Sequence, residues 1–427
     1  MTRKMKDSGI EWIGEIPEDW ELLRAKNYFV QSFSKGNNEL ILLSATQNNG
    51  VIPKDMLEGV VQVKEDTDLS TFKTVHPGDY VISLRSFQGG FEMSDYEGVI
   101  TPAYTVFRNK KPISNLYFKM LFKCDGFITK MNSLTVGIRD GKNIMFSDFA
   151  NTLIPIPNID EQAKIANFLT SKIKLIDQTI EKQKQLIEKL KEYKISIITE
   201  AVTKGLNLNV PMKESGIEWI GEIPLNWNRC KVLYCLVMPI TDGPHETPEL
   251  FEEGIPFISA EAIKNGKIDF NLKRGYISKN YYDECCKKYI PQRDDIFMIK
   301  SGATTGNVAL VETDELFTIW SPLAVFRSNN KILPRYLYYY LQSDGFQKQV
   351  QSKWSYGTQQ NIGMRVLETL IISFGSINEQ NEIVEYLDKK CWNIQLKINK
   401  KEQLIEKLES YKKSLIYECV TGKREVQ

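Results

Sequence analysis

Two families of short loops in this sequence place guanidinium, ammonium, amide and hydroxyl groups within a few residues of one another. The first comprises residues 85–88, Arg-Ser-Phe-Gln, and their counterpart 300–305, Lys-Ser-Gly-Ala-Thr-Thr. The second comprises residues 137–143 and 357–361, which combine glycine with hydrogen-bonding side chains. Arginine or lysine can bind guanine, and glutamine or asparagine can pair with adenine. These loops therefore have the polarity that contact with base edges in duplex DNA requires.

Two further loops have a similar composition: residues 45–50, Ala-Thr-Gln-Asn-Asn-Gly, and residues 241–247, Thr-Asp-Gly-Pro-His-Glu-Thr. Any one loop could be an ordinary solvated turn. As a set that recurs in both halves of the chain, they favour contact with a polar ligand. The candidate DNA-contacting residues, which include one nearby lysine, are Thr46, Gln47, Asn48, Arg85, Ser86, Gln88, Arg139, Lys142, Asn143, His245, Thr247, Lys300, Ser301, Thr304, Thr305, Lys353, Thr358, Gln359, Gln360 and Asn361.

The net charge of +1 gives no support for a nucleic-acid partner, whereas the local charge does. Residues 99–150 contain eight basic and three acidic side chains, and residues 323–367 contain six basic and one acidic. A solvated face could show such an excess by chance. Its recurrence at equivalent places in two repeats makes chance a weaker explanation.

An internal repeat is the strongest signal in the sequence. Residues 5–17 return as residues 212–224 with a single difference, Asp7 against Glu214, and a tryptophan follows three positions later in both copies. Shorter matches follow in the same order, linking 106–108 with 325–327, 125–127 with 344–346, 161–162 with 379–380 and 185–190 with 403–408. The interiors between these matches differ widely. Such a duplication suits two modules that bind different targets.

Apolar residues at alternating spacings of four and three predict one long amphipathic helix in each repeat, the first from Asp160 to about Thr203. Each helix is then roughly 60 Å long, at about 1.5 Å per residue. The two stripes match in their polar interruptions, which predicts an antiparallel coiled coil. The alternative is two separate helices, each packed on its own domain. The predicted seam residues are Leu169, Ile173, Ile176, Ile180, Ile187, Leu190, Leu387, Ile394, Ile398, Ile405, Leu408 and Leu415.

The fold class expected is α+β, with two mixed α/β globular domains separated by two long helices in a pseudo-two-fold tandem repeat. Short strands are expected at residues 80–84, 105–107, 296–299 and 324–326, and helical segments at 116–129 and 334–350. The cluster of tyrosines in the last segment is expected in the core. The predicted domains are 1–157, 158–205, 206–375 and 376–424.

Antiparallel helices would hold two such domains at a fixed separation and in opposite orientations. That arrangement predicts binding to a split DNA site, with uncontacted base pairs between its halves.

The duplicated Gly-Ile-Glu-Trp-Ile-Gly-Glu-Ile-Pro segments, the Glu-Gln pairs at the helix starts and the repeated Gln-Leu-Ile-Glu-Lys-Leu resemble the specificity subunit of Type I restriction-modification systems. The resemblance covers essentially the whole chain. It implies two target-recognition domains that bind a bipartite, asymmetric duplex DNA target. It also implies that the conserved helices dock two modification (methyltransferase) subunits. Through these subunits the complex includes the restriction (translocase and endonuclease) subunits.

The sequence lacks the motifs of the enzymes in such a complex. It contains no Pro-Pro pair, which amino-methyltransferases use to hold a flipped base, and no nucleotide-binding Gly-x-x-x-x-Gly-Lys loop. With only His76 and His245, a metal cluster or a Ser-His-Asp triad is not expected. The chain is expected to be non-catalytic and to bind no cofactor itself, with S-adenosylmethionine, ATP and Mg²⁺ on partner subunits.

The seven cysteines form no Cys-x-x-Cys pair and are expected to be reduced. The sequence has no secretory signal and no apolar stretch of about 18 residues that could span a membrane, so a cytoplasmic location is expected. Two other function classes fit the same residues. One is a stand-alone DNA-binding regulator, and the other is a coiled-coil scaffold that binds only protein.

Overall fold

The structure of the chain, a computed structural model, describes residues 3–36, 38–46, 50–57, 68–82, 91–134, 144–207, 209–356 and 360–426. The chain divides into two compact units. Unit 1 comprises Met1–Gln183 together with Glu402–Gln427, and unit 2 comprises Lys184–Lys401. Each unit therefore contains a globular part and portions of two long helices, one from each half of the sequence.

The globular part of unit 1 is built mainly from short antiparallel strands. The strands described there are β1 (Met5–Asp7), β2 (Glu15–Pro17), β3 (Glu21–Arg24), β4 (Phe29–Ser32), β5 (Leu43–Thr46), β6 (Gly50–Pro53), β7 (Lys73–Val75), β8 (Tyr80–Ile82), β9 (Glu92–Met93), β10 (Gly98–Ile100), β11 (Thr105–Asn109) and β12 (Leu153–Ile156). Its shorter helices are α1 (Asn115–Phe122), α2 (Asp125–Ser133) and α3 (Phe146–Asn151), with 3-10 turns at Ala25–Asn27, Lys54–Met56 and Leu69–Thr71.

The main sheet of unit 1 has four antiparallel strands in the order β4-β11-β8-β9. Helices α1 to α3 contribute to its core, in which aromatic rings pack edge-on. Phe29 makes such contacts with Tyr80, Phe107, Phe118 and Phe122 at centroid distances of 5.1 to 5.8 Å. Aromatic pairs prefer this geometry, and each buries a large apolar area. Phenylalanine packing therefore stabilises this face of the main sheet, while Val81 and Val106 on its other face pack in an aliphatic cluster.

Unit 2 repeats the main sheet and adds a second one. Its strands are β13 (Met212–Glu214), β14 (Glu222–Pro224), β15 (Asn228–Lys231), β16 (Thr241–Asp242), β17 (Ile255–Ile258), β18 (Ile263–Lys264), β19 (Lys267–Ile268), β20 (Gly275–Ile277), β21 (Ile296–Ile299), β22 (Val308–Leu310), β23 (Thr318–Ile319), β24 (Leu323–Phe326), β25 (Ser355–Tyr356), β26 (Gln360–Asn361) and β27 (Ile371–Phe374). Its 3-10 turns are Val232–Cys235, Ala260–Ala262 and Phe270–Leu272.

The order β16-β24-β21-β22 in unit 2 matches that of the main sheet in unit 1. The strand register relates individual residues of the two sheets. Val106 and Val325 are equivalent in the repeat, and because Val106 pairs with Ser32 and Val325 pairs with Thr241, Ser32 and Thr241 are equivalent too. A second sheet, β20-β17-β23, joins an antiparallel and a parallel pair. The core around Phe297 contains side chains of both sheets and is mainly aliphatic.

Two long helices follow the globular parts, α4 (Ile159–Lys204) and α9 (Ile377–Val420). Asn158 accepts a hydrogen bond from the backbone of Glu161 at 2.9 Å, which caps the first helix. Ser376 and Glu379 form a reciprocal capping box at the start of the second. These helices were expected from the sequence period, and their bounds agree with it. No helix among the described residues is long and apolar enough to cross a membrane.

Within each unit, portions of both long helices pack together. In unit 1, the Lys412 ammonium lies 2.7 Å from the Asp177 carboxylate, and the end of the second helix lies beside the segment that leads into the first. The two helices therefore run antiparallel. In unit 2, Cys391 of the second helix lies near Lys194 of the first. Burial raises the pKa of the Cys391 thiol, and the positive charge of Lys194 opposes that shift. The predicted α+β repeat with antiparallel helices is confirmed.

The predicted seam residues lie on the covered side of these helices. Those that are buried are Leu169, Ile176, Ile180, Ile187, Leu387, Ile394, Ile398 and Leu415, and those that are half-buried are Ile173, Leu190, Ile405 and Leu408. In unit 1 these residues join the aromatic core of the globular part. The helix portions thus pack on the globular part as well as on each other, which combines the two alternatives that the sequence left open.

The segments 116–129 and 334–350 are helical as predicted, and each contains two helices separated by a short break. Unit 2 contains α5 (Lys279–Lys288), α6 (Pro334–Gln342), α7 (Asp344–Ser352) and α8 (Met364–Thr369). Cys124 and Ser343 have extended backbones that break the helices, and the Ser343 hydroxyl then caps α7. Of the tyrosines expected in the core, Tyr336, Tyr339 and Tyr340 are buried and Tyr338 is half-buried.

Candidate nucleic-acid interface

Each unit has a tryptophan at the junction between its globular part and the start of a long helix. The Trp20 indole nitrogen donates to Glu161 at 2.9 Å, and that of Trp227 donates to Glu379 at 3.3 Å. Both glutamates lie in the first turn of a long helix. The repeated Glu-Gln pairs thus begin with a residue that binds the repeated tryptophan.

The second residue of each pair links the helix start to the globular part. The Gln162 side chain accepts from the backbone of Ser114 at 2.9 Å, and the Gln380 side chain accepts from Leu333 at 2.8 Å. Both glutamines are buried. Because their partners directly precede α1 or α6, these bonds orient the helical layer relative to the long helix.

A tyrosine in each unit binds the end of the other repeat's long helix. The Tyr117 hydroxyl donates to the carbonyl of Val420 at 2.9 Å, and the Tyr336 hydroxyl lies 3.1 Å from that of Val202. Both tyrosines are fully buried. A buried ion pair is also repeated in the main sheets, between Arg108 and Asp79 in unit 1 and between Arg327 and Asp295 in unit 2. We call these repeated bonds the shared contacts.

In unit 2 the structure brings together two of the predicted polar loops. Ser301 and Asn361 form an antiparallel bridge, and the backbone of Gly302 donates to the Gln360 carbonyl at 3.0 Å. The Thr305 hydroxyl donates to the Gly302 carbonyl at 2.7 Å. The loop after β21 is therefore held against the β25–β26 hairpin.

The third loop of unit 2, residues 241–247, joins the same group through Asp242. This carboxylate is fully buried, and it lies 2.5 Å from the Lys288 ammonium, 3.3 Å from that of Lys300 and 3.1 Å from the His245 imidazole. Burial alone would raise the pKa of the Asp242 carboxyl, but Lys288 and Lys300 hold that pKa below its ordinary value. The carboxylate is therefore ionised and connects two loops with α5.

The predicted contact residues of unit 2 differ in their exposure. Side chains open to solvent are those of His245, Thr247, Thr304, Lys353 and Asn361, while Ser301 and Gln360 are half-buried. Thr305 is buried, and the Lys300 side chain is only 12% exposed. The exposed group has the donors and acceptors that base edges and phosphates require. Thr305 and Lys300 stabilise the loops that carry this group.

In unit 1 the structure places one predicted residue, Thr46, whose hydroxyl donates to the Gly50 carbonyl at 3.0 Å within the β5–β6 hairpin. Ten predicted contact residues of the two units lie outside the described residues: Gln47, Asn48, Arg85, Ser86, Gln88, Arg139, Lys142, Asn143, Thr358 and Gln359.

Sequence reasoning missed residues that support the loops of unit 2. The Arg274 guanidinium lies 4.0 Å from the centroid of the Trp320 ring, whose indole nitrogen donates to the carbonyl of Glu246 at 3.0 Å. Asp242 itself lies in a loop that the sequence singled out, but Asp before Gly is an ordinary turn pattern. Among the described residues, no group of three or more histidine, cysteine or carboxylate side chains could hold a metal ion.

The chain matches the family described as the Type I restriction modification DNA specificity domain, over residues 17–192 and 244–409. It is similar to the specificity subunit of the Type I restriction enzyme MjaVIII of Methanocaldococcus jannaschii, with 25% identity over 96% of this chain and 94% of that protein. The EcoBI specificity subunit of Escherichia coli is 24% identical over 62% of this chain and 56% of its own length.

Solved structures share the fold at lower identity. One is a chain solved in a study of complex assembly and conformational transition of the type I R-M system, with a TM-score of 0.70 and 14% identity over 96% of this chain and 99% of that chain. Another is the HsdS subunit of Thermoanaerobacter tengcongensis, with a TM-score of 0.52 and 14% identity over 96% of this chain and 98% of that one.

Proposed function

Because the chain belongs to the Type I restriction-modification DNA specificity family, we propose that it is the sequence-specific DNA-recognition subunit of a Type I restriction-modification complex. Each unit binds one half of a bipartite, asymmetric duplex target. The two halves of such a target differ in sequence because the interiors of the two repeats differ. The candidate contact residues given above are proposed to make these interactions.

The observation that carries this function is the joining of three polar loops in unit 2. Backbone pairing connects 300–305 with the β25–β26 hairpin, and Asp242 connects 300–305 with 241–247. Exposed Thr304 and Asn361 then present hydroxyl and amide groups on adjoining segments. Amide side chains can form paired hydrogen bonds with adenine, while an exposed lysine such as Lys353 suits phosphate.

We propose that the partners are modification subunits, two per complex, and restriction subunits. MjaVIII and EcoBI, to which the relatives belong, are Type I restriction enzymes. The chain acts without catalysis of its own and in the cytoplasm, and S-adenosylmethionine, ATP and Mg²⁺ bind to the partners. The absence of a nucleotide-binding loop and of a Pro-Pro pair from the sequence supports this division of labour.

A selection from randomised duplexes tests the proposal. The chain is purified with its modification subunits, bound DNA is recovered and sequenced, and the same complex is used to methylate genomic DNA for methylome sequencing. We expect both measurements to return one motif in two parts with unspecified base pairs between them. Failure to enrich any split motif would favour a protein scaffold.

The same selection without the modification subunits separates a specificity subunit from a stand-alone regulator. We expect weak or unspecific binding by the chain alone and a large gain when its partners are added. Tight, specific binding that the modification subunits leave unaltered would favour a regulator.

A further inference from the structure

The Asp242 carboxylate joins three segments of unit 2 that are far apart in sequence. Its contacts come from His245 in the loop 241–247, from Lys288 in the last turn of α5 and from Lys300 at the start of the loop 300–305. The carboxylate is fully buried, whereas the His245 side chain is 70% exposed. An interior charge therefore contacts a surface residue of the candidate interface.

This cluster does not belong to the shared contacts. The register of the main sheets makes Thr241 equivalent to Ser32, so Asp242 corresponds to Phe33 of unit 1. Phe33 has no carboxylate and is 73% exposed. The buried acid Asp295 is different, because Asp79 occupies the equivalent place in unit 1 and binds the equivalent arginine. Asp242 thus lies in the part of unit 2 that differs between the repeats.

The ion pair between Asp242 and Lys300, at 3.3 Å, links the loop 300–305 to the buried carboxylate and is longer than the pair with Lys288. The Lys300 side chain is 12% exposed, and Asp242 is its only carboxylate within ion-pair distance among the described residues. Two other acids, Glu246 and Glu284, line a cavity together with Asp242 and Lys288. Glu284 forms an ion pair with Lys287. Removing the charge of Asp242 would leave Lys300 in a poorly solvated place without its partner, and the loop would move to let that ammonium reach water.

We propose that Asp242 is a positioning residue for DNA recognition by unit 2. Its carboxylate holds the loops 241–247 and 300–305 at one separation, and this separation determines which base pairs the exposed side chains on those loops accept. Asp242 is buried and acts on duplex DNA through its neighbours. This inference rests on the proposed function, because it concerns how one half of the bipartite target is specified.

The test compares base preference in the complex of the full chain with its modification subunits. Wild type and Asp242→Asn, which keeps the shape of the side chain and removes its charge, are each used to select randomised duplexes. We expect the Asp242→Asn complex to lose about tenfold in discrimination at one or more base pairs of one half of the motif. Preference in the other half should remain within about twofold of wild type.

Asp295→Asn is the matched control. It makes the same substitution in the same unit at an equally buried carboxylate, whose partners are Arg327, Tyr289 and the backbone of Gln292. None of these partners belongs to a predicted DNA-contacting loop. We expect Asp295→Asn to lower the melting temperature without changing base preference.

A second variant covers the case in which Asp242→Asn does not fold. Lys288→Met removes one contact of the carboxylate from a half-exposed side chain of α5. It should leave the melting temperature within a few degrees of wild type and relax preference about threefold in the same half of the motif.

The outcomes are distinguishable. Unchanged preference in folded Asp242→Asn and Lys288→Met complexes overturns the inference, and so does an equal loss in both halves of the motif. Equal relaxation by Asp295→Asn would also overturn it, because any buried charge of unit 2 would then have the same effect. If the wild-type complex selects no split motif, it is the proposed function that fails.

Discussion

Units 1 and 2 share their contacts at the helix junction but differ in their interiors. Both have a tryptophan bound to the first turn of a long helix, a tyrosine bound to the end of the other, and an arginine-aspartate pair in the main sheet. Equivalent buried positions of the two main sheets carry different side chains, because Tyr80 and Val81 of unit 1 correspond to Ile296 and Phe297 of unit 2. The nearly identical sequence segments therefore preserve the junction and not the core.

This difference gives a physical account of the duplication. The junction must support a globular part on two helix ends in both units, so the same residues serve twice. The loops and core carry no such constraint, since any well-packed interior supports the sheet. Unit 2 has the Asp242 cluster where unit 1 has the exposed Phe33. Specificity can thus diverge while the shared contacts stay the same.

The largest expected effect comes from exchanging residues 17–157 for the corresponding segment of another family member. If unit 1 binds one half of the target independently, the exchange replaces that half of the motif and leaves the other intact. Methylome sequencing of DNA modified by the reconstituted complex measures the result. A change in both halves of the motif would contradict independent recognition by the two units.

The shared ion pair should matter more in unit 2 than in unit 1. Asp295→Ala removes the partner of Arg327 and also the acceptor of the Gln292 backbone at 2.8 Å, so a loss of about 4 kcal/mol in the free energy of unfolding is expected. Asp79→Ala removes the equivalent acceptor of the His76 backbone but should cost less, because Arg108 is 33% exposed against 23% for Arg327 and because Asp295 also accepts from the Tyr289 hydroxyl. Thermal melting, with hydrogen exchange to assign the loss to a unit, measures both. A larger loss for Asp79→Ala would contradict this ranking.

The sequence predicted the repeat and the long helices well because these depend on local signals: identical segments, apolar period and helix caps. It placed the polar loops but not their connections. Lys288 contacts Asp242 across 46 positions, and that approach depends on how α5 packs. The break at Ser343 was missed because the segment is helical in composition on both sides, and only the extended backbone of one residue separates α6 from α7.

A glycine ends the last turn of each long helix, and the two positions are not equally tolerant. Gly205 and Gly422 both have φ of 74°, a conformation that penalises any other residue by about 1 kcal/mol. A Cβ at Gly422 would lie 2.3 Å from the Pro17 ring, whereas at Gly205 the nearest atom is 3.3 Å away on Trp227. We expect Gly422→Ala to cost about 3 kcal/mol and Gly205→Ala about 1 kcal/mol. Equal losses in urea unfolding would show that the two junctions are equally packed.

The smallest expected effect is a pH dependence at the junction of unit 2. Burial alone would raise the pKa of the Glu379 carboxyl, but hydrogen bonds from Ser376 and Trp227 lower that pKa below its ordinary value of 4.5. A carboxyl whose pKa is lowered in the folded state stabilises the protein above its unfolded pKa, and this contribution is lost as the pH falls through the folded pKa. At pH 7 we expect Glu379→Gln to cost about 1 kcal/mol.

The difference in unfolding free energy between wild type and Glu379→Gln should therefore shrink as the pH falls below about 4. The control is Glu382→Gln, which removes the same charge from an exposed position of the same helix. Its effect on stability should stay small at every pH. A cost for Glu379→Gln that remains constant down to pH values well below 4 would show that the shape of the side chain, and not its charge, holds the helix start to Trp227.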